Sequence, residues 1–120
     1  MRPFPPLADL QAFVGDTLWQ VRLGPNSLQF VFESGCCLVS ENSIEHVEPS
    51  GQVWSYENEA FRDPAILLHH LISKAVTVVD REDLRMSLTF SDGAILRIFS
   101  EIGPYESGHI ENPTGVVTVF

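Results

Sequence analysis

Apolar residues recur along this chain in two spacings. A spacing of three to four appears twice. Leu67, Leu68, Leu71, Ile72 and Ala75 form one helical stripe, opened by Asp63 as N-cap and Pro64 at the first helical position. Near the start, Pro5-Pro6 precede Leu7, Leu10, Phe13 and Val14, and Gly15 follows as a C-terminal stop. A spacing of two follows each stripe. Leu28, Phe30 and Phe32 share one face of a strand over Ser27–Glu33, after a β-rich run over Thr17–Leu23 and a Gly24-Pro25-Asn26 turn. Cys36–Glu41 returns after Glu33-Ser34-Gly35. Val76–Asp80, Leu84–Phe90 and Ala94–Ser100 repeat this order around Ser91-Asp92-Gly93, and Asp-Gly between alternating strands is a hairpin signal. Shorter strands over Ser43–Val47 and Gln52–Glu57, and over Ser107–Glu111 and Val116–Phe120, flank Pro49-Ser50-Gly51 and Pro113-Thr114-Gly115.

The two series superpose. Residues 6–38 fall on 64–96 without a gap, so that Leu28 meets Met86, Phe30 meets Leu88, Phe32 meets Phe90 and Gly35 meets Gly93. The match resumes at an offset of 64, where Val53 meets Val117 and Tyr56 meets Phe120. The expected fold is therefore an α+β single domain over 1–120. A helix-plus-antiparallel-meander unit is duplicated, with copy one at 6–56, a connector at 57–63 and copy two at 64–120. The copies are expected to pack about a pseudo-two-fold axis into a sandwich or partly open barrel. Units of about 50 residues bury too little surface alone, so one shared core is expected.

The match fails at one place. Copy two carries six more residues between Leu96 and Pro113, in a segment Ser100–His109 that includes Glu101, Tyr105, Glu106 and His109. Loops of this kind carry contacts more often than cores do.

Charge narrows the classes of partner. Sixteen acidic residues against seven basic ones leave a net charge of −9, which repels phosphate backbones, so nucleic acid is not an expected ligand. The surplus lies in the first copy and the connector, where Glu41, Glu45, Glu48, Glu57 and Glu59 cluster in sequence. Trp54 and Tyr56 stand among them as candidate contact anchors, with Tyr105 and Glu106 from the insertion; Trp54 fits a core position equally well. Trp19 is assigned to the core.

No apolar run reaches the ~18–20 residues of a membrane span, and Met1–Pro6 lacks the uninterrupted apolar stretch of a signal peptide, so a cytoplasmic protein without membrane partners is expected. Cys36 and Cys37 are neighbours on a strand, point to opposite faces, and read as reduced thiols. His46, His69, His70 and His109 show no chelating spacing, and Glu106 and His109 are not placed for acid–base work. An enzyme, a metal and a cofactor are not expected.

The stretch Leu88-Thr89-Phe90-Ser91-Asp92-Gly93-Ala94-Ile95-Leu96-Arg97-Ile98, followed by Tyr105-Glu106-Ser107, resembles a family of small uncharacterised bacterial domains with a Phe-x-Asp-Gly turn and a later Tyr-Glu pair. Some members lie beside toxin genes and are read as immunity proteins. The resemblance implies an immunity protein and supplies no catalytic residues; the net charge of −9 and the acidic cluster make a basic toxin surface the expected partner. The alternatives are a structural protein that forms homodimers through open sheet edges, and a domain that binds a small molecule in the cleft between the halves.

Overall fold

Alternation in two central strands places every second side chain in the interior. In the computed structural model, which describes residues 3–57 and 67–120, Leu28, Phe30 and Phe32 on one strand and Met86, Leu88 and Phe90 on another are all buried. Among the described residues ten strands form: β1 (Leu18–Leu23), β2 (Leu28–Phe32), β3 (Cys37–Ser40), β4 (Ile44–Val47), β5 (Val53–Tyr56), β6 (Val76–Glu82), β7 (Arg85–Phe90), β8 (Ile95–Phe99), β9 (Gly108–Glu111) and β10 (Val117–Val119). Before them a single turn of helix, α1 (Leu7–Leu10), runs into a 3-10 turn at Gln11–Phe13.

All pairings are antiparallel within two five-stranded sheets, ordered β1-β2-β3-β9-β10 and β5-β4-β8-β7-β6. Their inner faces share one apolar core, to which Phe4, Leu10, Phe13, Leu68 and Leu71 also contribute. The α+β class and the shared core thus stand, with the protein mostly sheet. No helix among the described residues is long and apolar enough to cross a membrane.

The expected unit of a helix followed by a five-strand meander needs correction. Only three consecutive strands stay together in each sheet. After β3 the chain crosses at residues 41–43 to the opposite sheet, where β4 pairs with β8; after β8 it crosses back, and β9 pairs with β3. Each three-strand meander is completed by two strands from the other half of the chain. Three strands bury little on their own, and the crossing gives both sheets five strands over one core. The second expected helix also ends before Ala75. Among its described residues only Leu68–Leu71 is helical, as a 3-10 turn, while Asp63 and Pro64 lie outside the described residues. Ala75 instead bridges to Thr17.

Around that bridge the hydrogen bonds come in reciprocal pairs. Gly15 N–H donates to Val76 O at 2.8 Å and Ser73 N–H to Leu18 O at 2.8 Å; Val76 N–H donates to Asp16 O at 2.8 Å and Leu18 N–H to Lys74 O at 3.0 Å. Both members of the first pair need a left-handed backbone, with φ +87° at Gly15 and φ +72° at Ser73. Glycine adopts this freely, whereas a Cβ is crowded by the following carbonyl. Ser73→Gly is therefore expected to stabilise the protein by about 0.5–1 kcal/mol, read as a higher urea midpoint at unchanged slope.

Trp19 also departs from expectation. It is 63% exposed. The ladder between β1 and β2 slips between Leu18 and Gln20, and β6 slips likewise between Val76 and Val78. Leu18 and Val21 both oppose inward-facing residues of β2, so the bulge leaves Trp19 and Gln20 on the outside.

Candidate protein-contact site

The crossing from β8 to β9 carries the extra residues, and its base is fixed by two serines. Ser100 and Ser107 are buried, with their hydroxyl oxygens 3.5 Å apart. Ser107 Oγ accepts from Glu101 N–H at 3.2 Å, Ser107 N–H donates to Phe120 O at 2.7 Å, and Ser107 O accepts from Glu41 N–H at 2.8 Å. Residues 101–106 form a loop held at its neck. At its tip Ile102 is 79% and Tyr105 82% exposed, the two most exposed large apolar side chains described. A protruding apolar pair on a tethered loop loses little freedom on binding, which favours a contact role. Glu101 and Glu106 of the same loop, and Glu41 bonded to its neck, are exposed as well.

The loop adjoins a shallow cleft through Phe99. This cleft, about 180 Å³, is lined by Ser43, Ile44, Glu45, Ser55, Glu57 and Phe99. Glu45 accepts from Arg97 Nη1 at 3.1 Å across the β4–β8 register, a half-exposed cross-strand pair worth about 0.5 kcal/mol. Glu45 and Glu57 thus line one cleft, Glu41 is bonded to the neck of the loop through Ser107 O, and Tyr105 and Glu106 lie in the loop itself with Glu101 and Ile102. Sequence alone does not single out Ile102, because one isoleucine between Glu101 and Gly103 has no periodicity to mark it. The insertion that holds it is the usable signal.

Three other candidates are placed elsewhere. Tyr56 is 4% exposed, and its hydroxyl accepts from Leu67 N–H at 3.2 Å, so it is a core residue and not a contact anchor. Its position opposite Ile44 on the inner face dictates this. Trp54 packs half-buried against the core and donates from Nε1 to Glu48 Oε2 at 3.1 Å. Glu48 also lies 3.9 Å from His70 Nδ1. Both sit at the far end of the β4–β5 hairpin from Glu57. Glu59 lies outside the described residues. His109 is not in the loop; it lies on β9 opposite Val39.

His46 is a buried polar residue with an unpartnered ring nitrogen. It is 1% exposed on β4, between Leu96 and Trp54, and its Nδ1 has no hydrogen-bond partner. Burial holds its pKa below the ordinary 6.5, against the pull of the Glu48 and Asp92 carboxylates and with a further push from His70. The unfolded chain takes up this proton near pH 6.5 and the folded chain only at lower pH, so the fold loses stability as pH falls below 6.5. At the sequence offset of 64 from His46, Ile110 stands on β9 opposite Leu38. His46→Ile is expected to be the more stable protein at about pH 5, with the difference narrowing towards about pH 7.5, in paired urea titrations.

The thiols are quiet. Cys36 is pushed up to about 12 by burial, with smaller contributions from Asp16 and Cys37, and burial also raises Cys37. Neither supplies a thiolate at neutral pH.

When the chain is compared with protein-family models, with curated proteins and with solved structures, nothing matches, so the family resemblance rests on residues 88–98 and 105–107 alone.

Proposed function

We propose that this chain is a non-enzymatic, acidic protein-binding module acting in the cytoplasm, and most specifically an immunity protein that blocks a basic toxin by surface complementarity. The observation that carries the reading is the tethered loop 101–106, where Ile102 and Tyr105 are exposed beside the exposed Glu101 and Glu106 of the same loop. Aromatic and apolar anchors inside a charged rim are the anatomy of a protein contact. Glu41, Glu45, Glu57, Glu101 and Glu106 form the rim that steers a basic surface; the net charge of −9 adds a long-range term.

The same reading takes the chain as a duplicated unit whose halves exchange their last two strands about a pseudo-two-fold axis. Support comes from bonds that repeat at the sequence offsets. Glu41 N–H to Ser107 O matches Phe99 N–H to Ser43 O, and the β3–β9 register of Leu38 with Ile110 matches the β8–β4 register of Leu96 with His46. Function is then sought where the halves differ, and the loop is the largest difference.

The charge element is tested on a purified partner. Glu101→Lys with Glu106→Lys should slow association and flatten its salt dependence, leaving dissociation nearly unchanged. An association rate that ignores both charges contradicts the steering role.

A further inference from the structure

The halves differ at a second place. On β10, Thr118 lies opposite Ile110 of β9; in the other half Trp54 of β5 lies opposite His46 of β4. The Trp54 indole lies against the core and is tied to Glu48, so the space inside β5 is occupied. Thr118 has no such bulk. Inside β10 a cleft of about 270 Å³ remains open between the strand and α1, floored by Leu10 and Ile110 and rimmed by Asp9, Asn112, Val116 and Thr118.

Among the described residues the strand beside this cleft is an open edge, with β10 the last strand of its sheet. Gly108 and Phe120 exchange both backbone bonds, and Asn112 N–H donates to Val116 O at 2.9 Å. By the alternation of an antiparallel ladder, the N–H and C=O groups of Val117 and Val119 point away from β9. Residues 113–120 carry no charge, and Val116 and Val117 are exposed, so the edge lacks the charged side chains that usually guard one.

We propose that the β10 edge takes up an extended basic segment of a protein partner as an added antiparallel strand, with one apolar side chain seated in the cleft between β10 and α1. This rests on the protein-binding reading and gives the partner a second point of contact. Backbone bonds to Val117 and Val119 supply the register. A residue opposite Thr118 shares its inward face and enters the cleft against Leu10 and Ile110. Residues two places away on the added strand share that face, and a lysine there meets the exposed carboxylate of Asp9. The net charge of −9 on every copy selects a basic segment over a second copy of this chain.

The test is a titration of the isotope-labelled full chain with the capped peptide Thr-Lys-Thr-Leu-Thr-Lys-Thr, read from backbone amide shifts. The expected result is a saturable response at Val117 and Val119. The same peptide with glutamate for lysine should bind about tenfold more weakly or worse. Thr118→Trp, which copies the opposite half, should abolish binding with the fold intact. Val117→Pro should do the same, because among the described residues its N–H serves no internal bond. No saturable shift at these amides up to about 1 mM peptide overturns the proposal. Undiminished binding to Thr118→Trp, equal binding of the acidic peptide, or dimerisation through β10 without peptide does so too. Substitution of Ile102 and Tyr105 should leave this titration unchanged, so the groove and the loop fail separately.

Discussion

Gly108→Ala is expected to lower the unfolding free energy by about 3 kcal/mol, the largest loss for the smallest change in this protein. Gly108 opens β9 where the chain returns from the loop, and it exchanges backbone bonds with Phe120. A Cβ there would collide with the backbone oxygen of Val39 on the neighbouring β3 and stand 2.6 Å from Cζ of Phe120. The ring cannot easily retreat, since Phe120 is fully buried and packs on Phe4 with ring centroids 4.4 Å apart. The Val39 oxygen belongs to the sheet itself. Relief therefore requires β9 to move off β3, and β9 is the strand that closes one sheet across the two halves. Gly103→Ala is the control. It lies in the loop with no atom within 4 Å of the place its methyl would take and without a positive φ, and its cost should stay within about 0.5 kcal/mol. Urea titrations of both variants decide the matter, and equal midpoints would contradict the close approach of β9 to β3.

The second large effect concerns binding and not folding. Ile102→Ser combined with Tyr105→Ala should weaken partner affinity by about 2–3 kcal/mol, on the order of a hundredfold in Kd. The same double substitution should leave the melting temperature nearly unchanged, because both side chains are mostly in water already. The neck of the loop is untouched, since its bonds run through Ser100, Glu101 and Ser107. Affinity lost at constant stability separates a contact residue from a structural one. Calorimetry against the purified partner, beside thermal unfolding of the free protein, reads both quantities.

Most strand positions are legible in the sequence because alternation is a local property. Leu28, Phe30 and Phe32 declare an inward face whatever they pack against, and Asp92-Gly93 declares a turn, which the structure builds with Gly93 at φ +91° and the Asp92 carboxylate accepting from Ala94 N–H. Which sheet a strand joins is not local. Nothing in Glu41-Asn42-Ser43 distinguishes a hairpin from a crossing, and the β9 partner of β3 lies in the other half of the chain, where Ile110 stands opposite Leu38. The stripe at Leu68 and Leu71 correctly marks buried positions, yet among the described residues of the second helix only Leu68–Leu71 is helical, as a 3-10 turn. Ser73 adopts φ +72° there and sends the chain straight into β6. Tyr56 departs from expectation for the opposite reason: its acidic neighbours Glu57 and Glu59 say nothing about the inward face it occupies. The loop shows itself through its length mismatch, whereas Ile102 becomes visible only through its exposure.

Co-expression of the tagged protein with the genes that flank its own tests the central claim most directly, run in parallel for the native chain and for Ile102→Ser with Tyr105→Ala. The account predicts that the native chain captures one basic neighbour, that high salt releases it, and that the double variant, equally folded and equally abundant, fails to hold it. A neighbour held equally well by both proteins, or none held by either, would contradict a contact site built on the loop.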